Sequence, residues 1–227
     1  METEKGFPEH IKTWRTLIPS SVRLKYEIHN VNHAAEILSQ AYPEEMREIV
    51  KALDEFWITT DDVITGGGSE SAIPKKFTEI LQPLGWKETK ISGDLLVSLA
   101  HRNKGDKGLF IPIEDIVIED FIDGHLIDYV KNRVAIDVEW NSKDQTFDRD
   151  LYAFRTFYEC NIISCGVIIT RSEELNTVFR DLEIMQKYGA STTWMGKLLP
   201  RINTGRHGGC PILIIGITPA AFTDLEV

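Results

Sequence analysis

The apolar positions of the chain recur with two periods. From Pro43 to Trp57, Met46, Ile49, Val50, Leu53 and Phe56 are spaced by three or four residues, which predicts an amphipathic helix. Pro43 suits its first turn, and Glu44 and Glu45 complement the positive end of its dipole. Phe147, Leu151, Phe154 and Tyr158 repeat the same spacing and predict a helix from Phe147 to Cys160. Asn32 to Tyr42 reads as a helix with Asn32 as its N-cap, and Pro74 to Leu81 as a short one. Ser172, followed by Glu173 and Glu174, begins a further helix that Gly189 ends. Tyr26–Val31, Ile91–Ala100, Ile162–Thr170 and Pro211–Thr218 have the β-rich, apolar composition of strands, with His101–Gly108 as a charged hairpin tip. Residues 1–25 read as an irregular arm anchored by Trp14, Leu17 and Ile18. Pairing and crossover rules turn the order β-β-α-β-α-β into an α/β fold, a mixed central β-sheet flanked by helices on both faces. A single domain is expected, with residues 1–90 as an N-terminal helical part and 91–227 as the core.

One strand carries more than packing. Val134, Ile136, Val138 and Trp140 alternate with Ala135, Asp137, Glu139 and Asn141, so one face is apolar while the other presents two carboxylates about 7 Å apart at Cα. Asp128 lies upstream across the polar Lys131-Asn132-Arg133 segment; if that segment turns back, Asp128 comes beside Asp137. Three acids at the edge of a buried sheet are costly unless a cation neutralises them. Oxygen ligands suit a hard divalent ion, Mg²⁺ first, which commonly also contacts phosphate. An Asp-x-Glu pair on a strand is more often a solvated face, and it is the apolar strand around this pair that favours the metal. Glu79 on the 74–81 helix is a candidate fourth carboxylate, weighed against a solvated helix acid.

Composition narrows the class. The 227 residues are 42% hydrophobic and 26% charged, as in globular proteins with a sizeable core. No apolar run approaches the roughly 20 residues that span a bilayer, and the polar start, Met-Glu-Thr-Glu-Lys, is not followed by a signal-type region. Cys160, Cys165 and Cys210 form no even disulfide framework and no metal-ligand spacing, so reduced thiols in the cytoplasm are expected. The net charge of −10 argues at first against a nucleic-acid partner. Its distribution changes that: Ile184 to Thr223 contains no acid but holds Lys187, Lys197, Arg201, Arg206 and His207. A local positive surface can hold a duplex on an acidic body, because counterion release follows the contacts made. Gly66-Gly67-Gly68-Ser69 lacks the Gly-Lys-Ser/Thr of a P-loop and reads as a loop.

Asp128-Tyr-Val-Lys-Asn-Arg-Val-Ala-Ile-Asp137-Val-Glu139-Trp140 places an Asp, eight residues, then acid-x-Glu on an apolar strand. This resembles the active site of the BglII/BstYI group of type II restriction endonucleases, within the PD-(D/E)xK nuclease fold, with BamHI a more distant relative. The resemblance extends over His29–Trp57, Ile73–Thr89 and Cys210–Thr218. Two positions depart from the pattern: Asp137 stands for the usual Glu, and Glu139 for the usual lysine or glutamine, as in the BamHI arrangement. The resemblance implies a restriction-endonuclease-like catalytic core that hydrolyses DNA with one or two Mg²⁺ ions. Asp128, Asp137 and Glu139 would then be ligands and catalytic groups, and residues 141–143 would read bases. Asn141 suits adenine, and Ser142 and Lys143 suit flexible donor contacts. Ser191 and Thr192 with Lys197 and Arg201, and Arg206 with its neighbouring glycines, are further candidate DNA contacts, chiefly to phosphate. It also implies a homodimer on double-stranded DNA, a palindrome built on GATC and 5′-phosphate ends. The alternatives are a repair or defence nuclease of the same fold, a non-cleaving DNA-binding module, and an acidic partner-binding protein.

Overall fold

The computed structural model describes residues 13–65, 71–103, 105 and 108–225; the Gly66-Gly67-Gly68-Ser69 loop lies outside them. In chain order the elements are α1 (Trp14–Leu17), α2 (Ser20–Lys25), β1 (Tyr26–Val31), α3 (Ala34–Ala41), α4 (Pro43–Glu55), α5 (Thr60–Ile64) and α6 (Ala72–Leu81). Then follow β2 (Lys87–Arg102), β3 (Phe110–Lys131), β4 (Val134–Glu139), α7 (Thr146–Glu159), β5 (Cys165–Arg171), α8 (Leu175–Asp181), α9 (Met195–Asn203) and β6 (Ile212–Ile217). The strands form one mixed sheet in the order β1-β6-β5-β4-β3-β2. β4, β5 and β6 run parallel, while β1 and β3 are antiparallel to β6 and β4.

Two compact units divide the chain, Glu88–Ile127 and the remainder. The smaller is a long hairpin of β2 and the first part of β3, closed by Asn103 N–H donating to Leu109 C=O at 3.0 Å. Asp120 sits there at φ 51°, its N–H bound to the Asp94 carboxylate at 2.8 Å. In the larger unit β1, from the N-terminal part of the chain, pairs along its whole length with β6.

The sheet of the larger unit has two buried faces. On one, Val134, Ile136 and Val138 of β4 meet Val167 and Ile169 of β5, Leu213 and Ile215 of β6, and the α4 stripe of Met46, Ile49 and Leu53. Each such side chain contributes roughly 1.5–3 kcal/mol by leaving water. On the other face lie Ala135, Asp137 and Glu139 of β4, with Gly166, Ile168 and Thr170 as their parallel partners on β5. α7 packs here: a Cβ on Gly166 would run into the Phe154 ring, so only glycine lets this helix approach β5 so closely.

Several elements differ from the expectation. The α3 helix begins two residues later than expected, and Asn32 is not its cap: Asn32 sits at φ 50° and donates to Gly209 C=O, while Asn30 Oδ1 accepts from Ala35 N–H at 2.8 Å. The helix expected from Ser172 to Gly189 runs only from Leu175 to Asp181, with Glu174 and not Ser172 at its N-cap. Glu183 turns left-handed at φ 58°, and Tyr188 and Lys187 are drawn instead to the carbonyls of Val63 and Thr65. α9, with Pro200 inside it, was not legible as a helix, since proline removes one of its hydrogen bonds. The arm ahead of β1 holds two short helices, with Ile18 in the core and Trp14 and Leu17 packed against it.

Candidate active site

The turn that the polar Lys131-Asn132-Arg133 segment was expected to make is present. Asn132, at φ 51°, closes a tight connection between β3 and β4, and Lys131 pairs with Val134. Asparagine tolerates this left-handed conformation, which is why the polar segment bends where it does. The antiparallel pairing brings Asp128 beside Asp137, and each pins the other's strand. Asp128 N–H donates to Asp137 Oδ1 at 3.0 Å, and Val138 N–H donates to Asp128 Oδ2 at 2.9 Å. The carboxylates are therefore oriented by backbone amides rather than by flexible side chains.

Burial makes this cluster unusual. Asp137 is 3% exposed and Glu139 7%, yet Asp137 Oδ2 and Glu139 Oε2 accept no hydrogen bond among the described residues. A buried charge without partners is among the costliest features a fold can hold. Burial first, and the neighbouring Asp128 charge second, push the Asp137 carboxyl well above the ordinary carboxylate range. Burial raises Glu139 to about 7, against an opposing hydrogen bond from Ser142.

A fourth acid joins them, and it is not Glu79, which is exposed on α6. Asp150 on α7 is 1% exposed, and one of its carboxylate oxygens lies within 4.8 Å of one from Asp137. Burial, then Asp137 and Glu139, raise its pKa well above normal. The signal was in the sequence: Asp150 falls three residues after Phe147 and four before Phe154, so an acid stands on the apolar face of that helix. A cation also comes from α7, since Arg149 lies 3.6 Å from Asp150. Lys131 does not serve, because its ammonium is held by Glu48 at 2.7 and 2.9 Å and by Leu84 C=O. The oxygens of Asp137 and Glu139 that have no partner among the described residues suit a hard divalent cation.

A family model for restriction endonuclease BglII/BglIII matches residues 26–217, from the first residue of β1 to the last of β6. The chain belongs to this family. No curated protein matches the chain in a sequence search. As a restriction endonuclease it acts on DNA, and no helix of its described residues is long and apolar enough to cross a membrane.

The expected DNA-contacting residues of this endonuclease fall into two groups. Asn141, at φ 74°, lies two residues past the end of β4, and Ser142 and Lys143 are exposed just beyond. The second segment docks on them. Thr193 N–H donates to Ser142 C=O at 2.8 Å, Asp144 N–H donates to Ser191 C=O at 2.9 Å, and Lys143 bridges Thr192. Asn141, Ser142, Lys143, Ser191 and Thr192 thus form one small ribbon directly after the acids. Buried Arg171 supports it, donating to Tyr188 C=O at 3.2 Å and to Thr192 Oγ1 at 2.5 Å. The remaining bases are engaged elsewhere. Arg201 makes a two-pronged pair with Asp148 at 3.0 Å and reaches Asp144 at 3.4 Å; Arg206 also binds Asp148, and Lys197 lies 3.9 Å from Asp144. Lys187 donates to the carbonyls of Val63 and Thr65. The acid-free stretch is therefore largely neutralised by acids from another part of the chain, which a charge count along the sequence does not register.

Proposed function

We propose that this restriction endonuclease is a Mg²⁺-dependent type II enzyme. It hydrolyses both strands of a short palindrome, built on GATC by resemblance to its relatives, and leaves 5′-phosphate ends. The observation that carries the reading is the buried acid pair on one face of β4, where Asp137 Oδ2 and Glu139 Oε2 have no hydrogen-bond partner among the described residues. Asp128, Asp137 and Glu139 would hold the ion, with Asp150 adjoining. A bound Mg²⁺ supplies positive charge for the phosphate and acidifies water.

The protein's own groups have distinct tasks. Asp128 and Asp137 are fixed by each other's strand amides, so each presents an oriented oxygen rather than a mobile one. Glu139 shares the face of Asp137 on β4, and its buried carboxylate would take the proton from the attacking water. The water oxygen bonds to phosphorus, the bond from phosphorus to the 3′-oxygen breaks, and the 3′-oxygen leaves as a hydroxyl after gaining a proton. Arg149 is the cation placed to balance charge at this face. The ribbon of Asn141–Lys143 and Ser191–Thr192 reads bases beside the acids, and Lys197, Arg201 and Arg206 on its flank would contact phosphate by exchanging Asp144 and Asp148 for it. One acid cluster per chain suits a two-fold homodimer cutting two antiparallel strands.

The test is incubation of the purified protein with phage DNA and Mg²⁺, followed by sequencing of fragment ends. Discrete fragments with one common end sequence are expected, lost with chelator and in Asp128→Ala and Glu139→Ala. Random smearing, or fragments that persist in those variants, refutes the proposal.

A further inference from the structure

Thr170 is an anomaly in an otherwise apolar strand. It lies in β5, where Cys165, Val167, Ile168 and Ile169 are buried, and is itself 1% exposed. Its hydroxyl has no hydrogen-bond partner among the described residues. Valine has the same shape and favours strands equally, without leaving a polar group unpaired in the interior. A buried hydroxyl without a partner therefore calls for a role outside packing.

Its position in the sheet indicates what that role is. Thr170 is the parallel partner of Glu139, on a strand about 4.8 Å away, and its other neighbour is Gly216, which has no side chain. Because Val138 and Ile169 point into the opposite core, Thr170 shares the face of Asp137 and Glu139. Three buried oxygens without a partner among the described residues thus lie on one face of the sheet: Asp137 Oδ2, Glu139 Oε2 and Thr170 Oγ1. The two carboxylates only accept when ionised, whereas the hydroxyl can donate and accept. A water held there has the two or more polar partners that a buried water requires.

Resting on the hydrolytic reading above, we propose that Thr170 is a positioning residue of the active site. Its hydroxyl hydrogen-bonds a water shared with Glu139 Oε2 and fixes the direction from which that water reaches the phosphorus. The threonine keeps its own proton throughout and makes no contact with DNA.

The experiment compares wild type with Thr170→Val, Thr170→Ser and Asp137→Ala, measuring kcat and KM on a duplex carrying the cleaved sequence, and thermal melting without metal. Thr170→Val should lower kcat by about 10–100-fold, as loss of an outer hydrogen-bond partner does, and leave KM unchanged. Its melting temperature should equal or exceed that of wild type, because an unpaired hydroxyl has been removed. Thr170→Ser should recover most of kcat. The inference is overturned if Thr170→Val cuts at the wild-type rate while Asp137→Ala is dead. It is equally overturned if serine fails to rescue, if KM carries the loss, or if Thr170→Val melts lower, since the hydroxyl would then be structural. Wild type that cuts no DNA with Mg²⁺ would instead bring down the nuclease reading itself.

Discussion

Replacing Glu139 by Gln in metal-free protein should change how stability depends on pH, in a direction fixed by the site. Glu139 titrates at about 7 in the folded protein against 4.5 for an ordinary glutamate, chiefly because it is buried. A carboxyl raised on folding makes the native state hold its proton longer than the unfolded chain does. Stability is therefore lost as pH rises from the unfolded value towards the folded one, and it stays lost above that. Across the full window the loss is about 3 kcal/mol, of which a little under 1 kcal/mol is already spent at pH 5 because the unfolded group is mostly ionised there.

Glutamine has no such dependence. Its amide brings a pH-independent cost of about 1–3 kcal/mol if it is left unpaired, so the absolute difference between the two proteins carries no sign. The informative quantity is how that difference changes with pH. Between pH 5 and pH 9 the variant should gain about 2–3 kcal/mol on wild type, or roughly 5–10 °C in relative melting temperature for a chain of this size. Melting curves in chelating buffer at several pH values measure it directly. A difference that stays flat to within about 1 kcal/mol would mean that Glu139 ionises normally, and the argument from a desolvated acid cluster would fail.

Other consequences are open to measurement. Mg²⁺ at about one hundred times its dissociation constant should stabilise wild type by about 2.7 kcal/mol, and this gain should vanish in Asp137→Ala; equal stabilisation of both proteins by calorimetry would place the ion elsewhere. Gly166→Ala should destabilise by roughly 1–3 kcal/mol, because the new methyl meets the Phe154 ring, and Phe154→Leu in the same chain should recover part of that loss in denaturant unfolding. Arg201→Ala and Asp148→Ala should show a coupling of roughly 0.5–3 kcal/mol in a double-mutant cycle, given their two-pronged, partly buried pair; strict additivity would show that the pair does not form.

The legible parts of the fold were those where one strong period governs one segment. The α4 stripe, the β4 alternation and the apolar β6 run each match their elements because local pattern and tertiary burial agree. The return of the chain at Asn132 was likewise readable, since a polar Lys-Asn-Arg between two strand patterns leaves little alternative to a turn. What was not readable depended on partners far away in sequence. Asn32 carries the local signature of a cap, yet its amide is taken by Gly209 and the capping falls to Asn30. The 182–188 segment was expected to continue the helix but is drawn off by the carbonyls of Val63 and Thr65. The cationic stretch loses most of its free charge to Asp144 and Asp148. Asp150 lay within reach of the same period argument that located α7, but an acid on a helix is ordinarily a surface residue.

These features bear on why so costly a cluster is retained. A protein of this size has a net stability of only about 5–15 kcal/mol, and Glu139 alone gives up about 3 kcal/mol of it above neutral pH. Asp137 and Asp150, buried more deeply and raised by the same cause, add to that burden. Isosteric apolar or amide side chains would remove it, so packing supplies no reason to keep the acids. The surrounding structure moreover holds them in place: strand amides fix Asp128 and Asp137, and Gly166 admits α7 close enough to deliver Asp150. A fold that spends rigid backbone on holding repelling charges together is organised for an occupant of opposite charge, and binding that occupant returns stability in proportion to its affinity. Metal-dependent stability and catalytic competence should therefore rise together across variants of these acids. A variant that loses cleavage while keeping the full metal-induced rise in melting temperature would separate the two and identify an acid that acts on water alone. Glu139, as one of the ligands, should lose cleavage and the metal-induced rise together, as Asp128 and Asp137 should.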